Sequence, residues 1–154
     1  RPDMANELSI DYASGNALYA VIRNASGQVW YPAGATFEDW GTSGRDADDY
    51  DVALVDKSGC RYVGSIDTNI PAGRYTAQFF VQAGADPTDG DTLIGCSELR
   101  WSGSGVVTAD KLLANRAVQD KQSGSIAYYD DDCQTVLLSL APEDAEAELS
   151  RTPV

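Results

Sequence analysis

Short runs of alternating apolar and polar residues, separated by turn residues, fill the first hundred positions of the chain. The clearest run covers residues 74–82, where Phe80 alone breaks the polar side. Its predicted inward-facing residues are Tyr75, Ala77, Phe79 and Val81. This period of two predicts a strand with one buried face, and it implies that another element covers Phe80.

Two predicted hairpins precede that strand, and a further strand follows it. The runs lie at residues 18–23, 28–31, 50–56, 60–66 and 92–101. Gly27 and Gly59 mark the two turns. The predicted inward-facing residues are Tyr50, Val52 and Leu54, and then Leu93, Leu99 and Trp101. About seven short strands at this spacing predict a mainly β fold, an antiparallel immunoglobulin-like β-sandwich.

A Ser-Gly-Ser-Gly run at residues 102–105 has the composition of a flexible linker. It predicts two parts, a sandwich domain at 1–102 and a C-terminal module at 106–154. In the module, Thr108 can cap a short helix over 109–119. Two apolar runs, 125–129 and 134–140, then form a β-hairpin. Residues 143–151 fit either a last strand or a helical turn.

Composition and charge argue against several classes of function. The chain has 154 residues and a net charge of −13, which disfavours binding to nucleic acid or anionic membranes. No apolar run is long enough to span a bilayer, and the polar first residues predict no signal peptide. Histidine is absent, which argues against zinc and against serine or cysteine protease chemistry. No phosphate-binding glycine loop is present, so we expect no enzyme activity and no cofactor.

Three cysteines, Cys60, Cys96 and Cys133, give an odd count and wide spacings. Three free thiols in a reducing cytoplasm are the favoured interpretation, and a Cys60–Cys96 disulfide is the alternative.

Two other patterns suggest ligands. Acidic residues crowd the predicted loop at 38–50 and its end, and calcium needs clustered carboxylates. The weak calcium candidates are Asp46, Asp48, Asp49 and Asp51, although their spacing does not fit an EF-hand. A solvated acidic loop explains them equally well. Trp40, in the same glycine-rich acidic loop, is the aromatic residue most compatible with an exposed glycan contact, although aromatic residues more often pack in cores.

The C-terminal segment carries a resemblance. Asn115-Arg116-Ala117-Val118 is followed by Gly124-Ser125-Ile126, by Tyr128-Tyr129 and by Asp130-Asp131-Asp132, and an apolar strand ends at Leu140. This order resembles a module of bacteriophage tail, neck and fibre proteins, in which N-(K/R)-(A/W)-V precedes G-x-(I/L)-x-x-Y-D-D-D-G. The resemblance covers about a fifth of the chain. Cys133 stands where the module has glycine. The resemblance implies a virion component, often trimeric, with a strand near the chain end.

These observations predict a non-enzymatic structural component of a phage or phage-like particle, in a tail, baseplate, neck or fibre. It would be made in the bacterial cytoplasm and contact copies of itself and other virion proteins. The module is too small for a robust core of its own, so either it packs on the first part or copies from other chains cover it, and the second option matters most for function. The predicted contact residues are Leu112, Leu113, Arg116, Val118, Ile126, Tyr128, Val136 and Leu138. The alternative is a carbohydrate-binding or host-adhesion sandwich that uses Trp40.

Overall fold

A computed structural model of the protein describes residues 6–108, 115–130, 134–145 and 148–153. The fold is mainly β with antiparallel sheets, as the sequence predicts, and the described residues also contain one short α-helix. The chain divides into two compact units, residues 1–99 and 100–154. The immunoglobulin-like topology stays a prediction.

Nine strands begin among the described residues of the first unit, and the last of them continues to Trp101. They are β1 (Leu8–Asp11), β2 (Leu18–Arg23), β3 (Val29–Tyr31), β4 (Thr36–Glu38), β5 (Val52–Ala53), β6 (Val55–Asp56), β7 (Arg61–Gly64), β8 (Gly73–Val81) and β9 (Thr92–Trp101). Helix α1 (Ala47–Tyr50) and two 3-10 turns, Pro32–Gly34 and Thr42–Gly44, lie between them. One sheet has the order β4-β3-β2-β8-β9, with β5 also paired to β2, and the second sheet has the order β1-β7-β6.

Strand β2 is the centre of the larger sheet. One edge pairs with β8 from Leu18↔Val81 to Arg23↔Thr76. The other edge pairs with β5 at Tyr19 and Ala20, and with β3 at Arg23. Residues 18–22 are all buried, because this strand is covered on both faces. An uninterrupted apolar run is what such a position requires.

Helix α1 covers one face of this sheet. Its residues Ala47 and Tyr50 are buried in a cluster with Tyr19, Val21 and Val29. The sequence prediction of a loop over 38–50 is therefore wrong at its end. The helix forms because Asp46 accepts a hydrogen bond from the Asp48 amide, and Asp49 accepts one from the Asp46 amide. Such a capping box satisfies amide groups that would otherwise lack partners.

On the opposite face of the larger sheet, side-chain contacts link it to the smaller sheet and to the segment that follows that sheet. The result is a sandwich-like arrangement. Trp30, only 2% exposed, donates from Nε1 to Asp67 Oδ2 at 3.0 Å, just beyond the smaller sheet. A Cβ atom added at Gly95 of β9 would lie 3.3 Å from Ile10 Cδ1 of β1. Glycine at this position therefore allows close approach of β1.

Most of the predicted strands are confirmed. Strands β2 and β3 form the first hairpin, and β6 and β7 form the second, with Val55 opposite Val63. The alternation of β8 is confirmed by three buried residues, Tyr75, Ala77 and Phe79. Phe80 is covered as expected, because its ring stacks on Tyr19 at 5.2 Å.

Other details are wrong, for reasons of tertiary structure. The predicted strand 50–56 is divided, because Tyr50 ends α1 while β5 and β6 pair with different sheets. Leu93 does not face inward but is 51% exposed, since it lies on β9, the last strand of its sheet. Trp101 is buried as predicted. Strand β1 was not predicted, because its short LSID sequence gives a weak signal.

The predicted linker is an ordered hairpin turn. The Ser102 amide donates to the Gly105 carbonyl at 2.9 Å, and the Val107 amide donates to the Arg100 carbonyl at 2.8 Å. The Ser102 hydroxyl oxygen also accepts from the Gly105 amide at 3.0 Å. Gly103 supplies the positive φ of 96°. The same small residues that make a linker flexible also fit a tight turn, so composition did not separate the two outcomes.

The second unit contains a four-stranded antiparallel sheet. Its strands are β10 (Ala117–Gln119), β11 (Ile126–Tyr129), β12 (Val136–Ala145) and β13 (Glu148–Pro153), in that order. The β11–β12 hairpin and the final strand are confirmed. The helix predicted over 109–119 is wrong at Ala117–Gln119, where pairing with β11 overrides a helix-like spacing. Residues 109–114 lie outside the described residues.

Candidate functional site

One face of the C-terminal sheet gathers apolar side chains in register. Tyr128 of β11 lies opposite Leu138 of β12, and Ile126 lies opposite Leu140. Directly opposed residues share a face of an antiparallel pair, so these four side chains form one continuous set. We call this set the apolar ladder: Ile126, Tyr128, Leu138 and Leu140. All four are half-buried, and therefore partly open to solvent.

The turn between β10 and β11 fixes the pairing of those two strands, and β11 carries half of the apolar ladder. The Asp120 amide donates to the Ser125 carbonyl at 2.8 Å. The Asp120 carboxylate accepts from the Gln122 amide at 2.8 Å and from the Ser123 hydroxyl at 2.9 Å. These hydrogen bonds lower the pKa of the Asp120 carboxyl, because they favour its charged form. A short polar turn, organised by one carboxylate, thus fixes the β10–β11 hairpin.

The predicted contact residues divide between the two faces. Ile126, Tyr128 and Leu138 lie together on the ladder. Val118, 37% exposed, lies on the other face, because it pairs with Ala127, whereas Val136, 45% exposed, pairs with Tyr129 beyond a register shift at the start of β12. Leu112 and Leu113 fall outside the described residues.

Two further residues change the picture of this sheet. Arg116, predicted as a polar anchor, places its guanidinium carbon 5.0 Å from the centre of the Tyr129 ring. Such a cation–π contact fixes the side chain beside β11. Leu140 was missed by the sequence argument, although it follows Leu138 by two residues. The period of two within this strand was the signal that would have found it.

The acidic calcium candidates have other roles in the fold. Asp46 and Asp49 cap α1, and all three residues Asp46, Asp48 and Asp49 are exposed. Burial raises the pKa of the half-buried Asp51 carboxyl, and the nearby Asp48 charge raises it further. Within the described ranges, no group of three or more His, Cys, Asp or Glu side chains is placed to hold a metal ion. The calcium hypothesis therefore gains no geometric support.

Trp40, the candidate glycan contact, is half-buried and not freely exposed. Its ring lies 5.0 Å from the Tyr50 ring, and the Arg23 guanidinium carbon lies 5.0 Å from its centre. Arg23 lies on the face of the central sheet that α1 covers. The structure therefore adds an arginine to the aromatic residue that the sequence singled out.

The thiols of Cys60 and Cys96 are free and exposed, so the alternative disulfide between them is wrong. Cys133 lies outside the described residues. In the part of the chain that the structure describes, no helix has the length and apolar character needed to cross a membrane.

No protein-family model, curated protein or solved structure matches the chain.

Proposed function

We propose that this protein is a non-enzymatic assembly component of a phage or phage-like particle, in a tail, baseplate, neck or fibre. Its C-terminal sheet would contact further copies of the chain and other virion proteins. The observation that supports this proposal is the apolar ladder, in which four large apolar residues of one sheet face are only partly buried.

The physical support comes from the cost of leaving such residues in water. Complete burial of a large apolar side chain contributes about 1.5–3 kcal/mol. The partly buried side chains of the ladder therefore realise only part of this free energy. Contiguous exposed apolar side chains typically mark protein contacts. A second chain laid on the ladder would recover the missing burial, and tyrosine is among the residues enriched at such contacts.

The class of particle rests on the resemblance of residues 115–140 to phage tail, neck and fibre modules. Detection of this chain by mass spectrometry in particles purified from a producing bacterium would test that part of the proposal. Absence of the chain from intact particles would contradict the virion role while leaving the assembly surface untouched.

Light scattering of the full chain during gel filtration tests the assembly surface. The chain mass is 16.4 kDa, and we expect the wild type to elute as a multiple of it. Tyr128→Ser combined with Leu138→Ser should shift the protein to the single-chain mass, because both residues of this opposed pair become polar. Ile126→Thr offers a milder change that keeps β propensity.

Leu93→Ser is the matched control, since Leu93 is 51% exposed but lies in the first unit. It should leave the measured mass unchanged. A wild-type protein that stays at the single-chain mass at tens of micromolar would contradict the proposal, as would equal effects of the ladder and control variants. Circular dichroism of each variant separates a lost contact from a lost fold.

A further inference from the structure

Strand β9 is a long strand at the edge of the larger sheet. It has ten residues, and among the described residues it is the last strand of that sheet. The other strands at sheet ends in this unit, β4, β1 and β6, have three, four and two residues. Natural proteins limit pairing at sheet edges with short strands, proline or charged side chains. From Thr92 to Ser97, β9 has neither proline nor charge, so its edge is open to a further strand.

The hairpin that follows β9 shows which backbone groups point outward. The Val107 amide donates to the Arg100 carbonyl at 2.8 Å, so Arg100 presents its backbone groups on the side away from β8. Because this direction alternates along a strand, Ile94, Cys96 and Glu98 present theirs on the same side. Among the described residues, these three have no backbone partner there. Each therefore offers one N–H and one C=O group to an added strand.

Side chains along this edge are also accessible. Leu93 is 51% exposed, Cys96 is an exposed free thiol and Ile94 is half-buried. An extended segment that pairs with β9 would cover part of these side chains. In such strand addition, main-chain hydrogen bonds provide affinity and alternate side chains provide specificity.

Charge indicates which segment fits the edge. The chain has a net charge of −13, and residues 1–99 contain fifteen Asp and Glu against six Lys and Arg. Asp91 directly precedes β9, and Glu98 lies on it. A second copy would bring the same negative charge, and main-chain hydrogen bonds alone contribute little net free energy to offset that repulsion. A basic segment is attracted instead.

We propose that the outer edge of β9 binds an extended, basic segment of another protein by strand addition. The main chain of that segment pairs with Ile94, Cys96 and Glu98. Its lysine or arginine side chains lie near the carboxylates of Asp91 and Glu98. These residues differ from those of the apolar ladder, so either proposal can fail without the other.

Hydrogen exchange measured by nuclear magnetic resonance tests the site in the full chain. The probe is a synthetic peptide of alternating threonine and lysine, about eight residues long to match a typical strand. We expect saturable binding and slower exchange of the Ile94, Cys96 and Glu98 amides, because each gains an acceptor. The amides of Leu93 and Ser97 point towards β8 and are the internal control. Their exchange should change much less.

A second peptide and two substitutions complete the test. The same peptide with glutamate in place of lysine should bind about tenfold more weakly or worse at low salt. Cys96→Pro should weaken binding of the lysine peptide about tenfold or more, because proline removes an outward N–H and leaves the pairing with β8 in place. Cys96→Ser keeps that N–H and is the matched control. A thermal melt checks the fold of both variants, and if Cys96→Pro does not fold, the wild-type exchange pattern decides alone.

Four outcomes would overturn the proposal. Absence of saturable peptide binding rejects the site, and equal binding of the glutamate peptide rejects the basic partner. Binding that survives in folded Cys96→Pro, or that slows exchange elsewhere but not at Ile94, Cys96 and Glu98, rejects the edge of β9. Slower exchange of these amides with rising protein concentration and no peptide identifies a second copy as the occupant.

Discussion

The two units use similar strand sequences but bury them differently. In the first unit, β2 lies between two layers, and Ile22 and Trp30 are 1% and 2% exposed. In the second unit, the apolar ladder of Ile126, Tyr128, Leu138 and Leu140 stays half-exposed. An apolar strand becomes part of a core only when a second layer covers it. If the proposed assembly role is right, the second unit is the one that gains most burial from a neighbouring chain.

In both units, an Asp carboxylate accepts a backbone amide and so fixes a turn or a helix start. Asp46 begins α1 by accepting a backbone amide, and Asp120 closes the β10–β11 turn in the same way. Much of the acidic character therefore has a local structural use in turns and caps, since Asp favours such positions. Solubility alone does not explain where these carboxylates lie.

The largest expected difference comes from truncating one isoleucine to alanine in each unit. Ile22→Ala should lower the free energy of unfolding by about 2–5 kcal/mol, because Ile22 is fully buried. Ile126→Ala should cost about 1 kcal/mol or less in the single chain, because that residue is already partly in water. Urea unfolding followed by circular dichroism measures both. Equal losses would show that the ladder is as well covered as the first core.

The helix cap gives a smaller effect within the first unit. Asp46→Ala should lower the free energy of unfolding by about 1 kcal/mol, because the Asp48 amide loses its acceptor and the capping box at the start of α1 is broken. Asp48→Ala is the control, because its side chain lies in the same turn but is not part of the capping box. Its free energy of unfolding should stay within about 0.5 kcal/mol of the wild type. Indistinguishable urea midpoints for the two variants would argue that α1 does not depend on its cap.

The smallest effect concerns pH. Since burial raises the pKa of Asp51, its ionised form disfavours the folded state, and this penalty is present at neutral pH. Asp51→Asn should therefore raise Tm at pH 7 by about 1–3 °C. The gain should shrink as pH falls towards the ordinary Asp value of about 4 and vanish below it, where Asp51 is protonated in both states. The exposed Asp86→Asn is the control. A gain that persists at pH 3 would point to a cause other than charge.

Local pattern predicted much of the fold. The period of two in β8 correctly indicated Tyr75, Ala77 and Phe79 as core residues. The turn residues around Gly27 and Gly59 correctly predicted two hairpins. Ile126, Tyr128 and Leu138 were chosen as contacts from apolar character alone, and the register places them on one face.

What the sequence determined by itself was the strand content, the main turns and the acidic character, because each depends on residues close in the chain. Only the tertiary structure decided which strands share a sheet. It assigned β5 and β6 to different sheets, made β10 a strand and left Leu93 exposed. These outcomes depend on pairing between distant residues, and the free energy of such pairing belongs to the partner strand as much as to the local sequence.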